Sequence, residues 1–378
     1  MAKYKSLVIK IPLAPDKKIK QKEYCHSGNL PIVDQGHNLV GGYSNDERLA
    51  VKCNLPVIVF GDHTRIVKYI PFPFGAGADG IKVLQPKDNI LPKYLYFGTQ
   101  YIVSQMPNRG YARHYQYVEK EELNVPPISE QKRIVARIEE LFSQIDAGVE
   151  TLKKTKAQLA VYRQAVLKEA FSDCIDSVTM GCVATMIDPQ PSHRTPPEYE
   201  NGIPYIGIGD IDYIGKNIRF KEARKVNPDI YEEHLQRYSL HEGDFVMGKI
   251  GTIGKPFRLP LPQNYTLSAN VILIQPDAEK INPEYLFWQF SSPLITEQLM
   301  EGKNETSQPA FGIQKARLLR VKMCSVESQE KIVYNIREKI SVCDEIEQTV
   351  TSTLQQAEAM RQSILKDAFE GGMIHGTI

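Results

Sequence analysis

Gln131-Lys-Arg-Ile-Val-Ala-Arg-Ile-Glu-Glu-Leu141 opens a segment that closes on Tyr162-Arg-Gln-Ala-Val-Leu-Lys-Glu-Ala-Phe171. The segment is written again 198 residues later, from Gln329-Glu-Lys-Ile-Val333 to Met360-Arg-Gln-Ser-Ile-Leu-Lys-Asp-Ala-Phe369. The two copies align without a gap over 41 positions. Sixteen are identical, among them Gln131/Gln329, Ile134/Ile332, Val135/Val333, Asp146/Asp344, Arg163/Arg361 and Phe171/Phe369. Solenoid units recur every ~20–50 residues, so a copy at this distance marks two half-molecules instead. In each, a non-helical block leads into one long helix.

The helical reading comes from spacing. Ile134, Ile138, Leu141, Ile145, Val149, Leu152, Leu159, Tyr162 and Val166 recur in steps of three and four. The second copy carries Ile332, Ile336, Ile340, Cys343, Ile346, Val350, Leu354, Ala357, Met360 and Ile364 in the same rhythm. Helices are predicted over 130–172 and 328–370. Pro126-Pro127 breaks the chain before the first, with Ser129 as its expected N-cap, and Gly371-Gly372 stops the second. At 1.5 Å per residue such a helix is roughly 60 Å long, too long for one small globule. Each therefore wants the other as its partner, packed antiparallel under pseudo-twofold symmetry.

The intervening blocks are rich in Gly, Pro and aromatic residues. In the first, Leu55-Pro-Val-Ile-Val-Phe60, Ile81-Lys-Val-Leu84 and Tyr94-Leu-Tyr-Phe97 read as β-like runs. In the second, Tyr205-Ile206, Asp244-Phe-Val-Met247 and Asn270-Val-Ile-Leu-Ile274 do the same. Pro283-Glu-Tyr-Leu-Phe287 echoes Pro92-Lys-Tyr-Leu-Tyr96, and Gly202-Ile-Pro-Tyr-Ile206 echoes Gly28-Asn-Leu-Pro-Ile32, so the blocks are duplicated too. The partition is 1–125, a first block; 126–175, a first helix; 176–325, a second block; and 326–378, a second helix.

A chain of 378 residues holds two or three domains of ordinary soluble composition. No apolar run approaches the roughly 20 residues of a membrane span. Met1-Ala2-Lys3-Tyr4-Lys5 lacks a signal-peptide core, so a cytoplasmic location is expected. The six cysteines (Cys25, Cys53, Cys174, Cys182, Cys324, Cys343) form no Cys-x-x-Cys pair and are expected to be buried free thiols. A net charge of +1 argues against a generic polycation. Residues 1–125 nevertheless carry 17 basic against 11 acidic side chains, so the first block tolerates a polyanion. The second, slightly acidic block needs local basic clusters to do the same.

Three patterns that resemble enzyme motifs fail on context. Gly75-Ala-Gly77-Ala-Asp-Gly80 matches the dinucleotide fingerprint, but a β-like run follows it where a helix is required, so it is read as a loop. Gly248-Lys-Ile-Gly-Thr-Ile-Gly254-Lys255-Pro256 resembles a phosphate loop with one residue too many, and Pro256 stands where Ser or Thr must hold magnesium. Asp16-x-Lys18 has no further carboxylate to complete a nuclease set. The eight histidines show no metal-ligand spacing, and no Asn/Asp-Pro-Pro-Tyr/Phe of the amino-methyltransferases is present. No catalytic apparatus is visible.

Binding chemistry remains. Gly61-Asp62-His63-Thr64-Arg65-Ile-Val-Lys68 puts donors and acceptors on a turn after an apolar strand, and the stretch holding Lys249, Thr252 and Lys255 occupies the matching place in the second block. Arg and Lys suit guanine or phosphate; Asn and Gln suit adenine. Further candidates are Gln35-Gly36-His37-Asn38, Asn108-Arg109 with Arg113 and His114, Arg219 and Lys221 with Arg224 and Lys225, and Lys303-Asn304 with Gln308 and Lys315. Each is equally compatible with a plain solvated loop; duplication favours the two Gly-started turns.

Val125-Pro-Pro-Ile-Ser-Glu-Gln-Lys-Arg-Ile-Val135 is similar to the phrase Pro-Pro-Leu-x-Glu-Gln-x-x-Ile-Val that opens the long helices of one family. The closing phrases at 162–171 and 360–371 match it as well. On these, and on Gly61-Asp-His-Thr64 with Ala76-Gly-Ala-Asp-Gly80, the chain resembles the specificity (S) subunits of type I restriction–modification systems over essentially its whole length. The resemblance implies an α+β fold: two mainly-β target-recognition domains separated by an antiparallel pair of long coiled-coil helices. Each domain is expected to read one half of a bipartite, asymmetric site in double-stranded DNA. The helices would set the spacer and dock two modification subunits, to which two restriction subunits can be added. No cofactor is expected in this chain; S-adenosylmethionine belongs to the modification subunits, ATP and Mg to the restriction subunits. Two departures stand out. The first block is the shorter, and Cys324-Ser-Val-Glu-Ser-Gln329 lacks the Pro-Pro and the Glu of the opening phrase. The rival reading is a scaffold or anti-restriction mimic that binds modification subunits without reading DNA, supported only by the acidic second half. An enzyme in its own right would need a nucleotide or methyl-donor site that the motifs do not supply.

Overall fold

Both repeated segments are continuous helices, Ile128–Ala170 and Val326–Glu370, in the computed structural model, which describes residues 1–371 apart from 78–79, 108–109, 111, 193, 214, 250–252 and 302–311. The first begins directly after Pro126-Pro127, so Ser129 lies in the first turn and does not cap it. The second ends at Gly371, whose φ of +98° is the left-handed conformation that suits glycine after a helix. The chain divides into two units, Met1–Lys154 with Val350–Ile378, and Thr155–Thr349. Each long helix contributes one part to each unit.

In the first unit a four-stranded antiparallel sheet runs in the order Val8–Ile11, Ile81–Pro86, Val57–Gly61, Val67–Ile70. Both faces of its centre are covered, which is why Val57-Ile-Val-Phe60 shows no polar alternation. Ile58, Phe60 and Leu84 pack with Tyr94, Leu95, Ile134 and Ile138 on the helical side. Val57, Val59 and Val83 pack with Val33, Phe74 and Ala76 on the other. There a second sheet runs Lys18–Ile19, Gly75–Gly77, Leu30–Val33, Gly42–Ser44, with Gly75–Gly77 parallel to both neighbours. Within the glycine stretch expected to be a loop, Gly75–Gly77 is thus a buried strand. Glycine is needed because a Cβ on Gly77 would stand 2.5 Å from Tyr24 Oη and 2.6 Å from Asp34 Cβ. The strand Ile81–Pro86 that follows leaves no place for a dinucleotide-binding helix.

Tyr94-Leu-Tyr-Phe97, expected to be a strand, is instead part of the helix Pro92–Gln105. Pro92 takes its first position, where no N–H is missed, and Tyr94, Leu95, Phe97, Thr99 and Ile102 are buried. Tertiary burial of the aromatic residues overrides their β preference. The echo Pro283-Glu-Tyr-Leu-Phe287 is likewise helical, within Pro283–Phe290.

The second unit repeats the plan. Its larger sheet runs Ala184–Ile187, Val271–Pro276, Phe245–Gly248, Phe257–Arg258, all antiparallel. A smaller one runs Lys225–Val226, Ile203–Ile206, Thr266–Leu267, the last pair parallel. Phe245, Met247, Ile272 and Ile274 face the helical core with Tyr285, Phe290, Val333 and Ile336. Val246, Val271 and Leu273 face the opposite cluster with Ile206 and Leu267.

The identities between the repeats are contacts that occur once in each unit. Gln131 and Gln329 are buried, and their Oε1 atoms accept from Leu91 N at 2.8 Å and Asn282 N at 2.9 Å, just ahead of Pro92 and Pro283. Arg163 pairs with Asp344 at 2.6 Å in the second unit, and Arg361 pairs with Asp146 in the first. Phe171 meets Tyr285 at 5.4 Å between ring centroids, and Phe369 meets Tyr94 at 5.0 Å. Within the second unit, Lys156, Arg163 and Glu169 pair with Glu347, Asp344 and Lys339 respectively. The falling order of partners makes the helices antiparallel there. The apolar stripe is narrower than its periodicity suggested: Tyr162, Ile346 and Met360 are exposed.

All six cysteines are free, but only Cys174 and Cys343 are buried. Cys25 and Cys182 are exposed and Cys53 and Cys324 half-buried, correcting the expectation of uniformly buried thiols. Among the described residues no helix is long and apolar enough to cross a membrane.

Candidate nucleic-acid interface

Three loops of the first unit converge where its two sheets end. Asp34 starts one: its Oδ1 accepts from Gly36 N at 2.9 Å, an Asx-type turn that points the loop outward. His37 and Asn38 are exposed on it, and Leu39 is 49% exposed beside them. The turn after Val57–Gly61 is tied to this loop by Thr64 Oγ1, which donates to Gln35 O at 2.8 Å. Lys68 Nζ donates to Asn38 O at 2.5 Å and lies 3.6 Å from Asp34 Oδ1. Burial holds the Lys68 ammonium below the usual lysine range, against the opposing pull of Asp34. The third loop enters through His114, whose N and Nδ1 both approach Asp62 O, at 2.9 and 3.0 Å. Asp62 Oδ1 accepts from Tyr115 N at 2.8 Å, and Lys82 Nζ stands 3.2 Å from Oδ2.

The candidates therefore separate. Asp62, Lys68 and His114 are buried and bind backbone; they hold the loops in place and present nothing to a ligand. His63 is half-buried, with Nδ1 3.2 Å from Ala112 O. Arg65 sits at φ +61° and lines a cleft of about 410 Å³ with Gln100, Phe142 and Arg361, on the helical side. His37, Asn38, Thr64 and Arg113 are exposed. Asn108 and Arg109 lie outside the described residues.

In the second unit Lys249 is 8% exposed, and its Nζ donates to Asp188 Oδ2 at 2.5 Å. It too is a strut. Lys255 is exposed and stands 4.4 Å over the Tyr213 ring, while Tyr213 Oη donates to Lys255 O at 3.0 Å. Arg219 donates to Gly209 O and, with Lys221, is exposed. Lys315 is exposed in the short helix Ile313–Arg317. Thr252, Lys303, Asn304 and Gln308 lie outside the described residues.

Register shows which loops correspond. Leu30–Val33 and Ile203–Ile206 each run parallel to a short strand, with Ile32 opposite Gly75 and Tyr205 opposite Thr266. Gly61 ends its strand opposite Ile81, and Gly248 ends its own opposite Val271. Asp62 N donates to Gly80 O at 2.5 Å; Lys249 N donates to Asn270 O at 2.8 Å. Residues 34–38, Asp62 and Gly80 of the first unit thus match the set 207–210, Lys249 and Asn270 of the second. The last set borders a cleft of about 360 Å³ lined by Tyr205, Asp210, Arg224, Ser268 and Asn270 among others. Of these residues only Arg224 was among the sequence candidates. Extending the Gly28/Gly202 echo past the strand would have reached Asp210. Burial raises the Tyr205 phenol, opposed by the hydrogen bond from Ala269 N, so the hydroxyl stays protonated at neutral pH.

The family model for the type I restriction modification DNA specificity domain matches residues 8–159. Over those residues the chain is similar to that domain, in line with the resemblance of the helix phrases. It is 23% identical over 276 residues to the type I restriction enzyme EcoBI specificity subunit of Escherichia coli, covering 66% of this chain and 58% of that one. It is 26% identical over 270 residues to the EcoKI specificity subunit of Escherichia coli (strain K12), covering 65% and 56%. The matched stretch is a little over half the length of these relatives. A solved chain from work on complex assembly and conformational transition of the type I R-M system superposes over 97% of this chain and 96% of that one. Its TM-score is 0.67 at 15% identity, and it shares the fold.

Proposed function

We propose that this chain is a non-catalytic DNA-specificity subunit of a type I restriction–modification complex. Each block reads one half of a bipartite, asymmetric site in double-stranded DNA. The paired helices set the unread spacer and dock two modification subunits, which supply S-adenosylmethionine; restriction subunits that join bring ATP and Mg. The reading rests chiefly on the twofold recurrence of one frame with two unlike loop sets. Gln131/Gln329, Arg361–Asp146/Arg163–Asp344 and Phe369–Tyr94/Phe171–Tyr285 recur. The loops that the frames carry, Asp34-Gln-Gly-His37 and Gly207-Ile-Gly-Asp210, share only a glycine. A molecule built to measure and discriminate needs that combination; an inert scaffold does not need two different loop sets.

The test is methylome sequencing of cells that carry this chain with its modification partner. A split motif with methylated adenine in both halves is expected. Methylation without a motif, or none above background, would sink the proposal. The scaffold reading predicts capture of modification subunits with no dependence on the loops.

A further inference from the structure

The cleft at the loop ends of the second unit has a polarity that selects its ligand. Asn270 Oδ1 is fully engaged, accepting from Ile208 N at 3.0 Å and Ser268 Oγ at 2.5 Å. Its amide orientation is thereby set, because Ile208 N–H can meet only the oxygen. The Asn270 NH2 makes no hydrogen bond among the described residues. With Oδ1 occupied, Asn270 cannot make the donor-plus-acceptor pair that reads adenine; it can only donate. Arg224, exposed at the same cleft, can only donate as well, and one of its five N–H groups already goes to Pro196 O at 3.3 Å. Tyr205 Oη accepts from Ala269 N at 3.3 Å and keeps its proton to give. Against these donors stands Asp210, whose Oδ2 accepts from Gly207 N at 2.8 Å.

Donors alone would suit a phosphate. A carboxylate in the same cleft opposes one, since it would face the phosphate oxygens. The mixture matches a G·C pair seen from the major groove, where guanine O6 and N7 accept and cytosine N4 donates. We infer that Arg224 and Asn270 donate to a guanine and Asp210 accepts from its paired cytosine, making this cleft the reader of one G·C pair in the half-site of the second block. The inference rests on the DNA-specificity reading above and adds the base pair and the residues. In the first unit the places of Asp210, Asn270 and Arg224 are held by His37, Gly80 and Gly42, so the preference belongs to one half only.

The experiment compares the methylated motifs produced by the intact chain and its variants, each with the modification partner. Asn270→Asp keeps the acceptor for Ile208 N and Ser268 and replaces the free NH2 with an acceptor. Arg224→Gln shortens the donor. Thermal melting alongside confirms that each variant folds. Relaxed discrimination at one G·C position of a single half-site, by roughly tenfold or more, is expected for both variants, with the other half-site unchanged. Three results overturn the inference: a wild-type second half-site without a G·C position, a variant motif identical to wild type, and uniformly weaker binding whose salt dependence falls by about one ion, which would identify a phosphate contact. A wild-type chain that yields no motif at all defeats the DNA-specificity reading itself, and so is distinguishable from failure of the cleft alone.

Discussion

Replacing Gln131 by alanine tests the joint between block and helix. The side chain is fully buried and makes three hydrogen bonds. Oε1 accepts from Leu91 N at 2.8 Å; Nε2 donates to Pro126 O at 2.8 Å and to Asn89 O at 3.1 Å. Gln131→Ala leaves those groups without a protein partner. A buried unsatisfied group costs about 1–3 kcal/mol. Asn89 is exposed, so its carbonyl regains water, and the expected loss is about 3 kcal/mol. In a domain of this size that is a fall in Tm of roughly 6–12 °C. Gln329 makes two such bonds, to Asn282 N and Cys324 O, both at 2.9 Å, so Gln329→Ala should lose about 2 kcal/mol. Urea denaturation of the purified chains measures both, with the midpoint moving and the slope constant. Gln131→Glu keeps the acceptor and turns a carboxylate oxygen toward two carbonyls. It should be destabilised at neutral pH and recover part of the loss on acidification, when a protonated carboxyl can donate. Losses below 1 kcal/mol, or a larger loss at Gln329 than at Gln131, would refute the assignment of these glutamines as the joint.

The ion pairs and the buried histidine give the chain an acid limit. Burial would raise Asp344, but the hydrogen bonds from Lys216 and Arg163 outweigh it and hold its carboxyl below the ordinary 3.8. Its stabilising contribution is present above that value and lost as pH falls through the folded one. Asp344→Asn should flatten the stability curve of the chain below about pH 4, which urea midpoints across that range will show. Burial also holds His234 below 6.5, with Nε2 and Nδ1 2.5 Å from Gln190 Oε1 and Thr266 Oγ1. The unfolded chain then binds the extra proton first, so stability falls as pH drops from 6.5 toward the folded value; a pH-independent melt over that window would be the contrary result. For the binding loops, His37→Ala and Asn38→Ala should leave Tm within about 1 °C and weaken DNA binding by the assembled complex. Asp62→Asn and Lys68→Met should lower stability by about 1–3 kcal/mol; equal melting temperatures for the two groups would erase the division between struts and readers.

The long helices were legible because their periodicity runs over many turns and because a second copy was present for comparison. Gln131, Asp146, Arg163 and Phe171 announced themselves by recurring, before anything showed what they touch. The short helix at Pro92–Gln105 was not legible, since Tyr-Leu-Tyr-Phe favours a strand locally and only the packing of Tyr94 and Leu95 against both sheet and helices decides otherwise. Charge was a poor guide to the interface for a related reason. Lys68 and Lys249 look like phosphate ligands in a list of residues, yet each is turned inward onto an aspartate, Asp34 or Asp188. Asn270 and Tyr205 escaped notice because their role depends on which of their atoms are already engaged, and that is set by backbone groups distant in the chain, Ile208 N and Ala269 N.

What recurs and what differs in this chain are thus separated by position. The recurring residues join block to helix and helix to helix within each unit. The differing residues occupy loops that the frame only has to present. In the first half Asp34 anchors a loop tipped by His37, Asn38 and an exposed Leu39; in the second, Asp210 and Asn270 border a cleft beside Arg224. If the two loop sets read DNA, such unlike chemistry cannot prefer the same bases, and the recognised site must be asymmetric although the frame is duplicated. A palindromic methylated motif would be incompatible with that argument, because it would require the His37–Leu39 tip and the Arg224–Asn270 cleft to select one sequence by two different sets of donors and acceptors.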